Sequence, residues 1–399
     1  MKRSPPLATP ESAGSGRRTA PRLDDLDALR AFVMLLVVLI HAFAFLVPPL
    51  PGDPWPAYDA YARDTPPNLN PYVYLAFLVF GAVLGIFFLL SGYLAALTLR
   101  RRGLARLVED RLLRIGAPLV VGVATMLQIT GWMFETSDVG LWYNPAADEV
   151  HGLHYLWFLY NLLLIMAGFA ALVRLGLRFH HPVWLACIPL SAVLLYPMEQ
   201  PFIGADQTGN MVIPDLKVLA YYALFFLVGV FLQNRDVTPR RSWSLLLLPA
   251  LLVAFPAALY LIYLAWPADA TLEAFTGRRP GSDGLWAAAA AAEAAYAWLM
   301  CFGTMGFFRL VAARPRRWVQ SVSEASYWVY WAHYPLVVWL QIQVVDWPLN
   351  PHLKLLVVIT VTLALLLGLY PLVRETPIGT MLNGRRRAAR PPPAASPAS

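Results

Sequence analysis

Residues 31–47 read Ala-Phe-Val-Met-Leu-Leu-Val-Val-Leu-Ile-His-Ala-Phe-Ala-Phe-Leu-Val, an apolar run with one ionisable side chain, His41. A helix of about 17–25 apolar residues crosses a bilayer core, and this run has that length. Nine similar runs follow, at residues 72–99, 115–134, 154–173, 183–197, 216–233, 244–266, 285–311, 327–345 and 353–373. The sequence therefore predicts an all-α fold, a polytopic membrane helix bundle of about ten transmembrane helices.

The composition agrees with this prediction. Of 399 residues, 58% are hydrophobic and only 14% are charged, and the mean hydropathy is +0.54. Soluble domains carry about 25% charged residues, so a disordered, fibrous or ordinary soluble chain is excluded. The two cysteines, Cys187 and Cys301, both lie in apolar runs. We therefore expect neither a disulfide framework nor a metal site.

The formal net charge of +7 is explained by topology. With both termini cytoplasmic, the inner segments hold 26 Lys and Arg residues and the outer loops hold 5. This bias satisfies the positive-inside rule, so nucleic acid is not expected as a partner. Because 28 of the 31 basic residues are Arg, as in GC-rich bacterial genomes, we expect a bacterial inner (cytoplasmic) membrane location.

The chain is predicted to contain one membrane domain between two polar tails. Residues 1–22 are rich in Pro, Ser and Arg and lack the apolar core of a signal peptide, so we expect a disordered basic N-terminus. Residues 23–375 form the predicted transmembrane domain. Residues 376–399 are basic and Pro-rich and are expected to be disordered.

Two histidines lie inside predicted spans, where ionisable side chains are costly and mark functional sites. His41 follows Arg30 by eleven residues, which places it about 16 Å deeper along a helix, near the bilayer midplane. His333 precedes Pro335, whose missing N–H is expected to kink the helix and open a cavity. Each imidazole is either a neutral general base or a packing histidine that hydrogen-bonds between helices.

A group of arginines follows the second run, at Arg100, Arg101, Arg102, Arg106, Arg111 and Arg114. Arg111 and Arg114 are three residues apart, so they share a helix face and present two guanidinium forks to a phosphate. Positive-inside charge explains the first three arginines better than this pair. Ser91, beside Gly92, is a weaker candidate because small residues in spans mostly serve packing.

Aromatic residues near the outer ends of the spans are open to two interpretations. Trp55, Tyr58, Tyr61, Trp142 and Tyr143 are candidates for stacking on sugar rings, but an interfacial aromatic belt is the simpler account. The same belt is the favoured explanation for His154.

Several motifs occur in a fixed order over residues 24–375: Asp27-Ala-Leu-Arg30 with His41, Phe88-Leu-Leu-Ser91-Gly92-Tyr93, Arg111-Leu-Leu-Arg114, Leu156-Trp157-Phe158-Leu159, and Ser326 to His333-Tyr-Pro335. In this ordered set the chain resembles the acyltransferase-3 family of integral-membrane O-acyltransferases. Within it the chain is most similar to the periplasmic glucan succinyltransferases of the glucan biosynthesis protein C type. Family members often have a histidine two residues before the tryptophan of the Leu-Trp-Phe motif, where this chain has Tyr155.

The resemblance implies a membrane O-acyltransferase that moves a succinyl or acetyl group from cytoplasmic acyl-CoA to a periplasmic glucan or other carbohydrate. The predicted catalytic residues are His41, Arg30 and His333, and the predicted donor-binding residues are Arg111, Arg114, Arg106 and Ser91. Acyl-CoA is a co-substrate, and no resident cofactor is expected. Direct attack of a hydroxyl deprotonated by His41 ranks above an acyl-Ser91 intermediate, because no activating base flanks this serine.

Two alternatives remain open. The first is a transporter or flippase in which His41, His333 and Glu293 relay protons. The second is a non-catalytic membrane partner in a glycan-assembly complex, with structural histidines. The expected partners are the acyl-CoA donor, the carbohydrate acceptor and the lipid bilayer, and a glycan-assembly complex or a homodimer is possible.

Overall fold

The computed structural model describes residues 24–47, 58–66, 69–136, 153–198, 213–265, 281–312 and 317–383. These parts of the chain are helical and contain no β-strand, so the all-α prediction is confirmed for them. The α-helices are α1 (Asp24–Phe43), α2 (Ala60–Asp64), α3 (Pro71–Arg111), α4 (Ala117–Gly122), α5 (Gln128–Thr136), α6 (Trp157–Arg174), α7 (Cys187–Leu195), α8 (Leu216–Asn234), α9 (Leu247–Pro249), α10 (Phe255–Ala265), α11 (Asp283–Val311), α12 (Arg317–Val344), α13 (Pro351–Val373) and α14 (Pro377–Asn383).

Seven helical segments in the described residues are long and apolar enough to cross a membrane: Asp25–Leu46, Pro71–Met133, His154–Arg174, Leu216–Asn234, Arg241–Ala265, Asp283–Val311 and Pro351–Val373. Two predicted spans, at 72–99 and 115–134, share the second segment, which Gly103 interrupts with φ +80°. The predicted span at 327–345 lies in α12, and that at 183–197 overlaps the shorter segment Pro182–Leu195.

The structure differs from the sequence prediction at the C-terminal tail. Part of the segment predicted to be disordered from residue 376 forms helix α14. Its side chain Leu382 is buried, and the helix packs against α12 and α4. Apolar contacts with the bundle therefore order this segment despite its polar flanks. Residues 1–23 and 384–399 lie outside the described residues.

The centre of the bundle contains α3 and α8, which cross at very short range. A Cβ atom at Gly92 would lie 2.0 Å from the Phe226 carbonyl oxygen, and one at Gly229 would lie 2.0 Å from the Leu89 carbonyl oxygen. Only glycine permits such an approach of two helices. The predicted packing role of Gly92 is therefore confirmed. In contrast, few residues of the segments Arg241–Ala265 and Pro351–Val373 are buried inside the protein, as in lipid-facing helices.

A buried ion pair fixes the segment around α2 to the start of α13. Lys354 Nζ lies 2.7 Å from Asp59 Oδ2 and donates to the Val345 carbonyl oxygen at 2.6 Å. Both side chains are buried, and Asp59 also accepts a hydrogen bond from the Tyr61 amide. The satisfied hydrogen bonds make this burial of charge tolerable.

Candidate functional site

Helices α1 and α12 lie side by side and run in the same direction. Near the start of α1, Arg30 Nη2 donates to the carbonyl oxygen and the hydroxyl of Ser323, both at 3.2 Å. Near its end, Gln341 Nε2 donates to the carbonyl oxygens of His41 at 2.8 Å and Ala42 at 3.1 Å. The two helices thus connect a basic region with a pair of histidines, His41 and His333.

The histidine pair joins residues that are 292 positions apart in the sequence. Nε2 of His333 lies 3.1 Å from Nδ1 of His41, and the ring centroids are 5.0 Å apart. His333 is fully buried, whereas His41 is partly exposed. Nδ1 of His41 also lies 2.8 Å from the Val37 carbonyl oxygen, and Nδ1 of His333 contacts the Tyr330 carbonyl oxygen. The structure therefore brings together two of the predicted catalytic residues.

These contacts assign the tautomers of both rings. A carbonyl oxygen only accepts hydrogen bonds, so Nδ1 carries the proton in His333 and in His41. The unprotonated Nε2 of His333 then accepts from His41 Nδ1–H, which it shares with the Val37 carbonyl. This leaves Nε2 of His41 as the nitrogen with a free lone pair. The arrangement is chemically suited to accept a proton at that atom.

Tyrosines complete the surroundings of the histidine pair. Pro335 has no N–H, which leaves the Trp331 carbonyl, four residues earlier, without its helical donor. The Tyr155 hydroxyl donates to that carbonyl at 2.7 Å, and the Tyr330 hydroxyl donates to the Tyr155 carbonyl at 2.8 Å. The ring of Tyr155 also meets that of His333 edge-on at 5.4 Å. The proline thus shapes the site without leaving an orphan acceptor.

The predicted donor-binding arginines differ in their partners. Arg106 is exposed and pairs with Glu109 at 2.7 Å, and Arg114 pairs with Asp110 at 3.0 Å. In Arg111 and Arg30, Nε is buried without a hydrogen-bond partner. Arg30 and Arg111 therefore each retain a buried guanidinium donor that no protein acceptor satisfies. We name Arg30 and Ser323, together with Arg111 and Arg114 from the end of α3 and the π segment that follows it, the arginine end.

A second proline and tyrosine hold the arginine end against α12. Pro118, four residues after Arg114, provides no N–H for the Arg114 carbonyl. The Tyr327 hydroxyl donates to that carbonyl, and Trp331 Nε1 donates to the Pro118 carbonyl at 3.0 Å. The backbone around Arg114 forms a π segment, Leu112–Gly116. This conformation is frequent at functional sites.

Two other candidates are not brought to the histidine pair by hydrogen bonds. Ser91 is partly buried on α3 beside the crossing with α8, and its hydroxyl bonds to neither histidine. Glu293 is buried on α11 against Gly81, and its Oε2 has no hydrogen-bond partner. In the described residues, therefore, no hydrogen-bonded chain joins Glu293 to the two histidines.

The aromatic candidates fall into two groups. Tyr61 is packed edge-on against Tyr72 at 6.2 Å and His352 at 5.5 Å, which is a structural arrangement. Trp55, Trp142 and Tyr143 lie outside the described residues. His154 lies 6.0 Å from the ring of Tyr334, which itself meets His41 edge-on at 5.0 Å. No group of His, Cys, Asp and Glu suited to a metal ion occurs in the described ranges.

Sequence reasoning missed the side chains that support the pair. Tyr155 and Tyr327 were not predicted as hydrogen-bond donors, although Pro335 and Pro118 mark the carbonyls that they satisfy. Gln341 was also missed, although an amide within an apolar run is a recognisable signal. The partner of an orphan carbonyl is set by tertiary packing and cannot be found from spacing.

Fold and site together define a class: a helical membrane protein with a hydrogen-bonded histidine pair between α1 and α12, and with Arg30 at the other end of α1. A comparison with protein families agrees with this class. The family model for acyltransferase-3, described as an acyltransferase domain, matches residues 23–370. The chain belongs to this family, which makes it a membrane acyltransferase. No curated protein and no solved structure matched the chain.

Proposed function

We propose that the protein transfers a succinyl or acetyl group from cytoplasmic acyl-CoA to a hydroxyl group of a periplasmic glucan or other carbohydrate. One observation carries this proposal. Helix α1 carries Arg30, which has an unused buried Nε donor, and about 16 Å further along it carries His41, whose Nε2 is free. A phosphate-bearing donor and a hydroxyl acceptor need these two chemistries at two separate places.

The proposed topology has ten spans, with both termini on the cytoplasmic side of a bacterial inner membrane. Relative helix directions support it. Alternation predicts that α1 and α12 run the same way, and the contacts of Arg30 with Ser323 and of His41 with His333 have that order. The arginine end then faces the cytoplasm, in agreement with the excess of basic residues assigned to that side.

The donor is proposed to bind with its phosphates at the arginine end. Arg30 and Arg111 retain buried Nε donors that no protein acceptor satisfies. Guanidinium groups form strong, often bidentate hydrogen bonds with phosphate oxygens. A CoA phosphate supplies these missing acceptors, and its thiol arm extends between the helices toward His41.

The proposed chemistry is a direct transfer. Nε2 of His41 removes the proton of the acceptor hydroxyl as its oxygen bonds to the thioester carbonyl carbon. The carbon–sulfur bond then breaks, and the CoA thiolate takes the proton back from His41. The products are the carbohydrate ester and free CoA, so no other reactant is needed. His333 acts as a positioning residue that holds His41 Nδ1–H in place and stabilises the transient imidazolium.

The transporter alternative requires continuous proton transfer through Glu293. Its carboxylate has no hydrogen bond to the histidines, which favours the transferase. If the protein is a non-catalytic partner, the orientation of His41 with a free Nε2 has no chemical role.

Purified protein incubated with radiolabelled succinyl-CoA or acetyl-CoA and a glucan oligosaccharide tests the proposal. We expect label on the oligosaccharide, located as an ester by mass spectrometry. Movement of the oligosaccharide across proteoliposomes without modification would establish a transporter instead. Neither transfer nor movement would leave a structural partner. The exposed His180→Ala variant is the matched control for histidine substitutions.

A further inference from the structure

His154 has an unusual backbone conformation close to the histidine pair. Its φ angle is +45°, in the left-handed region that residues with a side chain rarely adopt. Such a conformation is costly and persists where surrounding structure holds it, often at functional sites. The residue begins a short 3₁₀ turn, His154–Leu156, that leads into α6.

The conformation directs two consecutive rings onto the same tyrosine. Tyr155 stacks on Tyr334 with a centroid distance of 4.8 Å, and His154 contacts the same ring at 6.0 Å. Adjacent residues in regular helix or strand point in different directions. The left-handed φ of His154 allows both His154 and Tyr155 to contact the ring of Tyr334.

The ring of Tyr334 contacts the imidazoles of both His154 and His41. Tyr334 is buried and meets the edge of the His41 ring at 5.0 Å, whereas His154 is partly exposed. One buried ring thus separates a partly exposed imidazole from the one that carries the free Nε2. The centroids of the His154 and His41 rings lie 6.0 Å and 5.0 Å from that of Tyr334. The two imidazoles are therefore close enough to contact different hydroxyl groups of one carbohydrate.

We propose that His154 is an acceptor-binding residue that hydrogen-bonds a hydroxyl group of the carbohydrate while another hydroxyl of it reaches His41. This inference rests on the proposed function and specifies the acceptor side of the same site. An imidazole nitrogen hydrogen-bonds a sugar hydroxyl as a donor or as an acceptor.

Substitutions separate the imidazole from the strained backbone. His154→Gly keeps the left-handed conformation without cost and removes only the ring. With succinyl-CoA and a glucan oligosaccharide as probes, we expect this variant to raise the acceptor KM about tenfold and leave the donor KM unchanged. His154→Asn, which tolerates the same φ and retains a donor and an acceptor, should raise the acceptor KM only about threefold.

A purely structural role predicts a different pattern. In that case His154→Gly would match the wild type, and only His154→Ala, which strains the backbone, would lower the thermal unfolding midpoint. A wild-type acceptor KM in the Gly variant, or an effect confined to the donor KM, would overturn the inference.

A second measurement does not depend on turnover. Diethylpyrocarbonate modifies accessible histidines, and peptide mass spectrometry reports each site. We expect the oligosaccharide to protect His154 but not the exposed His180. If the wild type transfers label and His154 is unprotected, this inference alone fails. If the wild type transfers no label to carbohydrate, the proposed function fails and the inference fails with it.

Discussion

The arginine end and the histidine pair differ in charge and in burial, although α1 and α12 contribute residues to both. At the arginine end the groups are charged, partly exposed and arranged in ion pairs with Asp110 and Asp27. At the histidine pair, backbone carbonyls contact Nδ1 of both rings, and His333 is fully buried. Isolated charges are expensive to bury, so recognition of an anion belongs near the surface. Proton transfer needs an oriented imidazole, and the carbonyl contacts provide this orientation.

The largest effect should come from removing the basic nitrogen itself. Positioned general bases contribute about 10²–10⁴-fold, so we expect His41→Ala to lower kcat by that factor while inserting normally. Steady-state kinetics and size-exclusion profiles measure both. Unchanged kcat would place the chemistry elsewhere, and His180→Ala should retain full activity.

The next effect concerns the residue behind His41. His333→Phe removes the acceptor for His41 Nδ1–H, and because hydrogen bonds to charged groups contribute about 1.5–3 kcal/mol, we expect a 10- to 100-fold loss of kcat. Both KM values should change by less than about threefold. His333→Gln, which retains an acceptor, should recover most of the rate. If His333 serves only packing, His333→Phe and His333→Gln should lower stability to a similar extent. The two variants should then have the same kcat.

At the arginine end the expected change is in donor binding. Arg111→Ala removes a guanidinium group with an unused Nε, and loss of one charge-assisted contact should raise the acyl-CoA KM about tenfold. The acceptor KM should remain constant. Arg106→Ala removes only an exposed pair with Glu109, so less than a twofold change is expected. Equal effects of the two substitutions would remove the distinction between these arginines.

The smallest effect compares the two proline–tyrosine contacts, one at each end. Tyr155→Phe and Tyr327→Phe each leave a buried carbonyl without a donor, which should cost about 1 kcal/mol of unfolding free energy. Denaturation in detergent measures it, with Tyr160→Phe as the control. In a Pro335→Ala background an amide again satisfies the Trp331 carbonyl, so Tyr155→Phe should become nearly neutral there.

The helical architecture was largely predictable, because apolar length is a local property. Within the described residues, each of the ten predicted runs falls largely on helical backbone, although only seven described segments meet the length and hydropathy needed to cross a membrane. The π segments, such as Leu112–Gly116, were not predicted, since the apolar pattern does not distinguish them from an α-helix. Helix α14 was missed because its few apolar residues are ordered by the bundle rather than by their own periodicity.

For the candidate site, the sequence indicated the histidines and arginines but not the contacts between them. Both histidines stood out as ionisable groups in apolar runs, yet their contact joins positions 292 residues apart. The arginines looked equivalent in the sequence, and only their ion pairs distinguish Arg106 from Arg111. His154 was interpreted as part of an interfacial belt because its φ angle cannot be read from residue type.

Helix α12 is continuous from Ser323 to His333 and therefore fixes the distance between the arginine end and the histidine pair. Ten helical residues fix a separation of about 15 Å along the helix axis, and no hinge between them lets it vary. An acyl carrier that binds at the arginine end must span this interval with its own covalent length. Short thioesters and acyl phosphates that lack an extended arm fall short of His41 even when their acyl group is correct. Under the proposed function, the bundle selects its donor by length as well as by charge.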